Sequence, residues 1–335
     1  MFRRSITIIF LIMLVIGSLS FFSFAQEPVI LKLAHGGSVE STHHLGYTKF
    51  KELVEERTEG KVIIDIFHGG VLSAGELTAF QTGTVEMGIA RGAELMTYDP
   101  HWGIFEMPFL FTDLEAVEKV INSDLMKGLY GEVEGANVVL LEGFFENGFR
   151  HVTNNIRPIY TVDDMKGIKI RVMDTPLQVA IFSSLGASPM GISYEELYSS
   201  LQTKVVDAME GPFVNILDKA FYEVQKYISL TGHSYYGWPT AINAPVYNSL
   251  SPEFQKILND SMREAAAYER ELTRKVNEVG LSQLKEKGMI VNDLTAEEKM
   301  TFIKATKSVY DKYADDIGKD FINQFMEAMG RDPLY

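Results

Sequence analysis

Residues 166–215 read KGIKIRVMDTPLQVAIFSSLGASPMGISYEELYSSLQTKVVDAMEGPFVN. The segment IKIRV has the alternating, β-branched pattern of a strand, and a helix, a loop, a second helix and the strand VVDAME follow it. This alternation is typical of an α/β sheet with parallel strands. Arg171 lies among the apolar residues of the first strand, and Glu210 ends the last one. The stretch therefore predicts the fold class and also offers a candidate charged site.

The same alternation extends through the rest of the chain. Strands are predicted from the apolar segments over 29–34, 61–67, 85–90, 137–144, 149–153, 228–232, 238–247 and 289–291. Helices are predicted from helical spacing over 42–57, 76–82, 113–134 (broken near Ser123) and 295–329. No flexible linker is visible, so we expect several strand crossings to join any two domains.

The longest predicted element is a helix that begins after Ser251. Serine is a favourable N-cap, and Pro252 suits the first helical position. The pattern continues to about residue 287 with one glycine, Gly280, and about 36 residues would extend about 54 Å. This exceeds the width of one domain, so we expect the helix to cross two.

The length of the chain also favours two domains. We predict that the first comprises residues 26–148 plus about 238–275. The second is predicted to comprise residues 149–237 plus about 276–335.

The first 25 residues are predicted to be an export signal. Arg3 and Arg4 precede a mostly apolar run, and Ser23 and Ala25 suit the small-residue positions of a cleavage site. An uncleaved anchor is the alternative, because the run approaches the length that spans a bilayer. Cleavage would leave a soluble periplasmic, or more generally extracytoplasmic, protein.

Composition excludes several classes of function. The chain has 31 basic and 45 acidic residues and a formal net charge of −14, which argues against nucleic acid or an anionic membrane as a partner. It contains no cysteine, so disulfides and thiolate chemistry are excluded. The histidines lack metal-binding spacing, and the GxSxG, GxGxxG and P-loop motifs are absent, so no metal or cofactor is expected. A secreted hydrolase with a Glu and Asp pair remains the rival enzyme class.

Charged residues on strands are the candidates for a ligand site, because ligands of α/β proteins bind at strand ends or between domains. Arg171 has two interpretations. It could occupy the solvated face of an edge strand, or its planar guanidinium could bind a carboxylate. Arg150, which follows Asn147 in the chain, poses the same choice. Arg91 comes directly after the strand over 85–90, where a cleft residue belongs.

Other candidates are acidic or aromatic. Glu210 and Glu76 could orient the arginines or accept ligand hydroxyl groups, or they could be surface charges. Tyr194 and Trp238 could form the wall of a pocket, although aromatic residues near strands often belong to the core. Because the chain is acidic overall, an anion site would have to act through local, desolvated arginines.

The chain resembles the solute-binding proteins of tripartite ATP-independent periplasmic (TRAP) transporters, of the dicarboxylate-binding DctP type. The resemblance covers essentially the whole mature chain. It is carried by ENGFRHVTNN (146–155), KGIKIRV, LGASPMGISYEELYSSLQTKVVDAMEGP (185–212) and FYEVQKYISLTGH (221–233). It implies a periplasmic-binding-protein-like α/β fold, with two domains around a cleft, hinge strands and a long domain-spanning helix. It also implies ligand capture by domain closure and delivery to membrane permease subunits, without catalysis.

The resemblance also implies roles for individual residues. Arg171 matches the family arginine that pairs with the substrate carboxylate, and Arg150 matches a second arginine of the same anchor. Tyr194 falls where an aromatic side chain packs on the ligand. Gly211 falls where sialic-acid-binding relatives carry asparagine, which disfavours sialic acid. Arg91 would supply a third arginine from the first domain.

Two further positions match polar residues of the family near the cleft. They are Glu76 and His35, the latter at the end of the first strand. A small dicarboxylate is the expected ligand because of Arg91, and a monocarboxylate such as a 2-oxo or hydroxy acid is the alternative. A sensor subunit that partners a kinase instead of a permease, and a homo-oligomer, also remain possible.

Overall fold

The structure is a computed structural model that describes residues 27–72 and 77–335. The predicted export signal over 1–25 and the candidate Glu76 lie outside the described residues. Within the described ranges, no helix has the length and apolar character needed to cross a membrane.

The described residues form strands of one sheet with helices around it. The strands are β1 Val29–Ala34, β2 Val62–Phe67, β3 Met87–Ile89, β4 Gly131–Val133, β5 Val138–Asn154, β6 Lys169–Val172, β7 Ser188–Gly191, β8 Ala208–Gly211, β9 Tyr227–Asn243 and β10 Ile290–Asn292. The helices are α1 Thr42–Arg57, α2 Leu77–Gln81, α3 Gly92–Leu95, α4 Leu114–Ile121, α5 Asp124–Leu129, α6 Pro176–Ser184, α7 Leu197–Gln202, α8 Phe213–Asp218, α9 Ala244–Ser249, α10 Pro252–Glu286, α11 Ala296–Ala305, α12 Lys307–Ile317 and α13 Lys319–Ala328.

The sheet is mixed rather than parallel throughout. Its main strand order is β2-β1-β3-β9-β5-β8-β6-β7, with β10 beside β9 and β4 beside β5. The outer groups β2-β1-β3 and β8-β6-β7 are parallel, as the alternation of strands and helices predicts. Between them, β5 and β9 run antiparallel to each other, and β9 is antiparallel to β3 while β5 is antiparallel to β8. Two α/β halves are therefore joined through a central antiparallel pair.

The two central strands are longer than the sequence pattern predicts. The strands expected over 137–144 and 149–153 are one strand of 17 residues, β5, and β9 likewise joins two predicted strands. Register shifts in their pairing interrupt the alternation of side chains, and Gly148 sits at one of them with a φ of +94°. The prediction of separate strands was therefore wrong.

Several chain segments differ from prediction in their element type. The loop expected between the two helices of the opening stretch contains strand β7, which pairs with β6. Residues 244–249 form helix α9 instead of continuing a strand, because the side chain of Asn243 caps it by accepting from the Val246 N–H at 3.2 Å. The helical region predicted over 113–134 ends at Leu129, and β4 follows it.

The long helix α10 confirms the prediction from Ser251 and Pro252. The Ser251 hydroxyl accepts from the Phe254 N–H at 3.2 Å, and the helix contains 35 residues, or about 52 Å. It packs against α1 and β5 and, near its C-terminus, against α8. There a Cβ on Gly280 would lie 2.9 Å from the Cβ of Phe213, so glycine permits the close approach. The helix thus contacts elements from both halves of the sheet.

The largest group of buried apolar side chains runs through both halves and includes Ala34, Phe80, Phe144, Ile170 and Phe182. Two smaller groups each lie in one half. One group surrounds β1, α1 and the first half of α10 and includes Tyr47, Phe50 and Met262. Another lies around α7, α8 and the end of α10 and includes Leu197 and Leu284. The two halves of the sheet thus share one core, and each also has its own smaller group of apolar side chains.

Candidate functional site

A cavity of 930 Å³ opens between the two halves of the sheet. Its lining comes from the loop after β1 and from residues after β3 on one side, and from β6, β8 and the segment after β7 on the other. Small-molecule sites commonly have this size and lie at such junctions. Seven of the ten predicted site residues line it: Arg171, Arg150, Arg91, Glu210, Tyr194, Asn147 and Trp238.

Arg171 is an interior strand residue with a buried side chain. Strand β6 lies between β7 and β8, where Arg171 is in register with Met190 and Met209. The side chain is 5% exposed. The interpretation of Arg171 as the solvated face of an edge strand was therefore wrong.

The buried charge of the Arg171 guanidinium is stabilised by few contacts with the protein. Its Nε donates to the carbonyl oxygen of Ile192 at 2.8 Å. No carboxylate among the described residues lies within 4.0 Å of it. Burial is the main cause that lowers the pKa of Arg171 to about 10; Glu210 opposes it, and the positive charges of Arg150 and Arg91 act with it. Among the residues that the structure describes, this buried cation therefore has no carboxylate partner.

The charge of Arg150, by contrast, is paired with the carboxylate of Glu210 on the neighbouring strand β8. Its Nη2 donates to Oε1 of Glu210 at 2.6 Å and to the Glu210 carbonyl oxygen at 3.1 Å, and its Nε also donates to Oε2. The guanidinium lies 4.7 Å from the ring centroid of Tyr236. Both ends of the Arg150–Glu210 pair are buried. Arg150 thus brings a rigid, paired cation to the cavity.

Glu210 remains ionised in spite of its burial. Desolvation alone would raise the pKa of Glu210, but Arg150 and a hydrogen bond from His233 lower it well below its usual value. His233 Nε2 lies 3.3 Å from Glu210 Oε2. Glu210 therefore holds Arg150, which is one of the two roles predicted for it.

Arg91 lies across the cavity as the N-cap residue of α3. Its Nη1 donates to Glu94 Oε1 at 2.7 Å. Desolvation opposes the charged form, but Glu94 raises the pKa of Arg91. The third predicted arginine is thus present in the lining, with a protein carboxylate beside it.

Three uncharged candidates complete the predicted lining. Trp238 is buried, and its indole Nε1 donates to the hydroxyl of Tyr47 at 3.4 Å. Tyr194 is partly buried, with Lys219 Nζ 5.5 Å from its ring centroid. Asn147 is 3% exposed, and its Nδ2 donates to Asn215 Oδ1 at 3.0 Å.

Two predicted residues are described but are not in the cavity lining. Gly211 is buried on β8, where a Cβ would lie 2.9 Å from Cε of the lining residue Met209. His35 is buried, and its Nδ1 accepts from the Gly37 N–H at 3.2 Å, so its Nε2 donates to His44 Nδ1 at 3.0 Å. Both ring nitrogens of His35 are therefore already used.

The fold brings four histidines together that are scattered in sequence. The rings of His43 and His44 lie 5.1 Å from that of His35, and His68 lies 5.6 Å from His44. Burial lowers the pKa of His35 to about 2 and that of His43 to about 4. Within the described ranges, no group of histidine and acidic residues has a geometry that could hold a metal ion.

Sequence reasoning missed several polar residues of the lining. Glu94 follows Arg91 by three residues, and Asn215 ends the opening stretch of sequence. Glu195 follows Tyr194 directly. The spacing of Arg91 and Glu94 was a usable signal, because residues three apart face each other at the start of a helix. Nothing in the sequence indicated that Asn215 would meet Asn147.

The fold and the cavity define a ligand-binding protein with two α/β domains around a cleft. The chain belongs to the bacterial extracellular solute-binding proteins of family 7, DctP, whose family model matches residues 33–316. Several similar solved structures are TRAP periplasmic solute-binding proteins. The resemblance and the fold class predicted from the sequence are thereby confirmed.

Named relatives match over most of their length. The chain is 29% identical over 305 residues to the C4-dicarboxylate-binding protein DctB of Bacillus subtilis, covering 90% of this chain and 87% of the relative. It is 31% identical over 281 residues to the 2,3-diketo-L-gulonate-binding periplasmic protein YiaO of Escherichia coli, covering 83% and 85%. The sugar acid binding protein DctPAm of Advenella mimigardefordensis, solved with galactonate, gives a TM-score of 0.86 at 27% identity, covering 91% and 98%. These relatives are binding proteins, which confirms the prediction of a receptor rather than an enzyme.

Proposed function

We propose that the protein captures a small organic acid by pairing its carboxylate with Arg171 and delivers it to a TRAP permease. One observation carries the proposal: Arg171 is buried in the cavity lining without a carboxylate partner among the described residues. A buried charge is stable only when it is paired and hydrogen-bonded. A carboxylate from the ligand would supply both, because its two oxygens match the guanidinium donors.

The other two arginines would shape the same anchor. Arg150 is fixed by Glu210 and adds positive charge near Arg171 without competing for its partner. Arg91 is the reason to favour a dicarboxylate, because it lies in the lining contributed by the opposite half. Glu94 offsets part of that charge, so the preference for a second carboxylate is a prediction for experiment.

Export and domain closure are parts of the same proposal. Residues 1–25 would be cleaved as a signal. The first domain would comprise residues 26–148 plus about 238–275, and the second 149–237 plus about 276–335. The long strands β5 and β9 would serve as the hinge, since they join the two halves. Closure over the ligand excludes water and strengthens the ion pair, and the closed form is what a permease would recognise.

The ligands named for the relatives support an acid. The Bacillus subtilis protein is named for C4-dicarboxylates, and the Escherichia coli protein for 2,3-diketo-L-gulonate. The structure from Advenella mimigardefordensis contains galactonate. A carboxylate is the group that these compounds have in common.

A thermal-shift screen against organic acids, followed by calorimetry on the best ligand, tests the proposal. Binding to the native state raises the melting temperature by mass action. Arg171→Ala should abolish most of the affinity, and the variant should remain folded. Unchanged affinity in this variant, or turnover of a bound acid, would contradict the proposed function.

A further inference from the structure

Asn147 is a buried polar side chain of the cavity with an unused hydrogen-bonding atom. It is 3% exposed, and its Oδ1 is buried with no hydrogen-bond partner among the described residues 27–72 and 77–335. Nearly all buried polar atoms in proteins have a partner, and leaving one without costs about 1–3 kcal/mol. An unpartnered acceptor beside a ligand cavity is therefore a group that a ligand can satisfy.

The neighbours of Asn147 fix it in place. Its Nδ2 donates to Asn215 Oδ1 at 3.0 Å, and Asn215 also lines the cavity. Its backbone carbonyl oxygen accepts from Nδ2 of Asn277, on the long helix α10, at 3.0 Å. Gly148, the next residue, adopts a φ of +94° and lies against the same Asn277 amide. The contacts with Asn277 thus hold the backbone at Asn147, and the hydrogen bond to Asn215 orients its side-chain amide.

Because Oδ1 of Asn147 is a hydrogen-bond acceptor, its missing partner must be a donor. A carboxylate ligand atom carries no proton at neutral pH and cannot donate to Oδ1. A hydroxyl group can donate. If the amides of Asn147 and Asn215 were both rotated by about 180°, Nδ2 of Asn147 would take the place of Oδ1, and a hydroxyl group would then accept from it. A hydroxyl group therefore suits either orientation of the two amides. One carboxylate of the ligand is assigned to Arg171, and a second carboxylate could not donate to Oδ1, so a hydroxyl group is the part of the acid that suits Asn147.

We propose that Asn147, positioned by Asn215, recognises a hydroxyl group of the bound acid, so that the ligand is a hydroxy acid. This inference rests on the proposed function, because it requires the carboxylate to bind at Arg171. It adds a second point of recognition that distinguishes hydroxylated acids from acids of the same length without a hydroxyl group. Discrimination of this kind is effective, because the analogue that lacks the hydroxyl leaves the buried polar atom unpaired.

Matched ligand pairs test the inference on the unmodified protein. The pairs are L-malate with succinate, and the aldonates D-glycerate, D-erythronate and D-gluconate with propionate, butyrate and hexanoate. The aldonates carry a hydroxyl group on each carbon beyond the carboxylate, so no assumption about distance is needed. Calorimetry should show at least one hydroxylated acid binding about 10- to 100-fold more tightly than its partner. Equal or weaker binding of every hydroxylated member would overturn the inference.

A variant then assigns the effect to the residue. Asn147→Leu keeps the approximate volume but removes the amide, and the preference for the hydroxylated member should fall to less than about 3-fold. Asn155→Leu, outside the lining, is the matched control and should keep the preference. If a folded Asn147→Leu protein keeps the preference for the hydroxylated acid, Asn147 is not the residue that recognises the hydroxyl group. If Asn147→Leu does not fold, the ligand pairs on the unmodified protein still decide whether a hydroxyl group is recognised, and Asn215→Leu, which removes the anchor of Asn147, should reduce the preference.

Failure of the inference and failure of the proposed function give different results. If acids bind and Arg171→Met abolishes binding of both members of each pair, the proposed function stands whatever the hydroxyl preference. If no acid of the panel binds, the proposed function and the inference fall together.

Discussion

Replacing Arg171 with methionine should separate a ligand-binding arginine from a structural one. Methionine keeps an unbranched side chain as far as the ε position and carries no charge. The fall of the pKa of Arg171 to about 10 means that holding this charge in the ligand-free protein costs about 3 kcal/mol. Arg171 is deeply buried, so solvent screening reduces this figure little. The cost is fully present at neutral pH, because the charged form persists below the folded pKa.

Methionine also removes one favourable contact. The hydrogen bond from Nε to the Ile192 carbonyl oxygen, 2.8 Å long, contributes about 1.5–3 kcal/mol as a bond from a charged group. The two effects nearly cancel. We therefore expect Arg171→Met to leave the ligand-free stability unchanged or to raise it by about 1 kcal/mol.

Ligand binding should respond in the opposite direction. Two charge-assisted hydrogen bonds to a carboxylate contribute about 3–6 kcal/mol in total. Their loss would weaken binding by about 100- to 10,000-fold. The assays are urea unfolding of the ligand-free protein and calorimetry with the acid that gives the largest thermal shift.

Arg150→Met is the matched control, because Arg150 lines the same cavity but pairs with buried Glu210. Removing one partner of a buried pair leaves the other charge uncompensated and costs about 3–5 kcal/mol. Stability should therefore fall in Arg150→Met and not in Arg171→Met. The reasoning would be refuted if Arg171→Met lost 3 kcal/mol or more of stability, or if it kept its ligand affinity.

Three further predictions concern other parts of the molecule. Arg91→Ala should lower the affinity for succinate more than that for butyrate in calorimetry, because only a dicarboxylate would pair with a second cation. Glu269→Gln should abolish a loss of stability between about pH 5 and 8 in urea unfolding. Burial raises the pKa of Glu269 to about 8, so the folded state retains a proton that the unfolded state releases, at up to about 1.4 kcal/mol per pH unit. Lys219→Met should speed ligand release several-fold in stopped-flow measurements, because Lys219 Nζ donates to the Gly36 carbonyl oxygen at 2.9 Å and joins the two halves.

Each of these has a control or a contrary outcome. Equal losses of affinity for succinate and butyrate in Arg91→Ala would remove the argument that the ligand has a second carboxylate. Glu278→Gln changes an exposed glutamate of the same helix and should leave the pH dependence intact. If Lys219→Met slowed association instead of speeding release, the contact with Gly36 would not hold a closed form together.

Local patterns predicted most elements but not the central pair of strands. Helix α1 and strand β1 have the predicted bounds, and the long helix differs by one residue at its C-terminus, because apolar spacing and caps are local properties. Strands β5 and β9 were divided because the register shifts depend on the facing strand. Gly148, which looked like a break, allows the chain to continue through a shift.

The three candidate arginines were found from sequence, but their different states were not. Glu210, the partner of Arg150, lies 60 residues away in the chain, and no local pattern connects them. Burial and pairing are tertiary properties, so sequence could not show that Arg171 would have no carboxylate partner in the part of the chain that the structure describes. The hydrogen bond between the side chains of Asn147 and Asn215 could not be predicted for the same reason.

Arg171 has no carboxylate partner within the described ranges, and this explains how an acidic protein can respond selectively to an anion. The formal net charge of −14 gives a distant anion no attraction, and salt screens such effects beyond about 8–10 Å. Selectivity must therefore arise inside the cleft. Burial of the Arg171 guanidinium lowers its pKa, so enclosing this charge without an anion is unfavourable. A carboxylate removes that cost at the moment it binds. We infer that neutralising Arg171 and closing the cleft are one thermodynamic step, so a neutral analogue of equal shape would fail to stabilise the closed form.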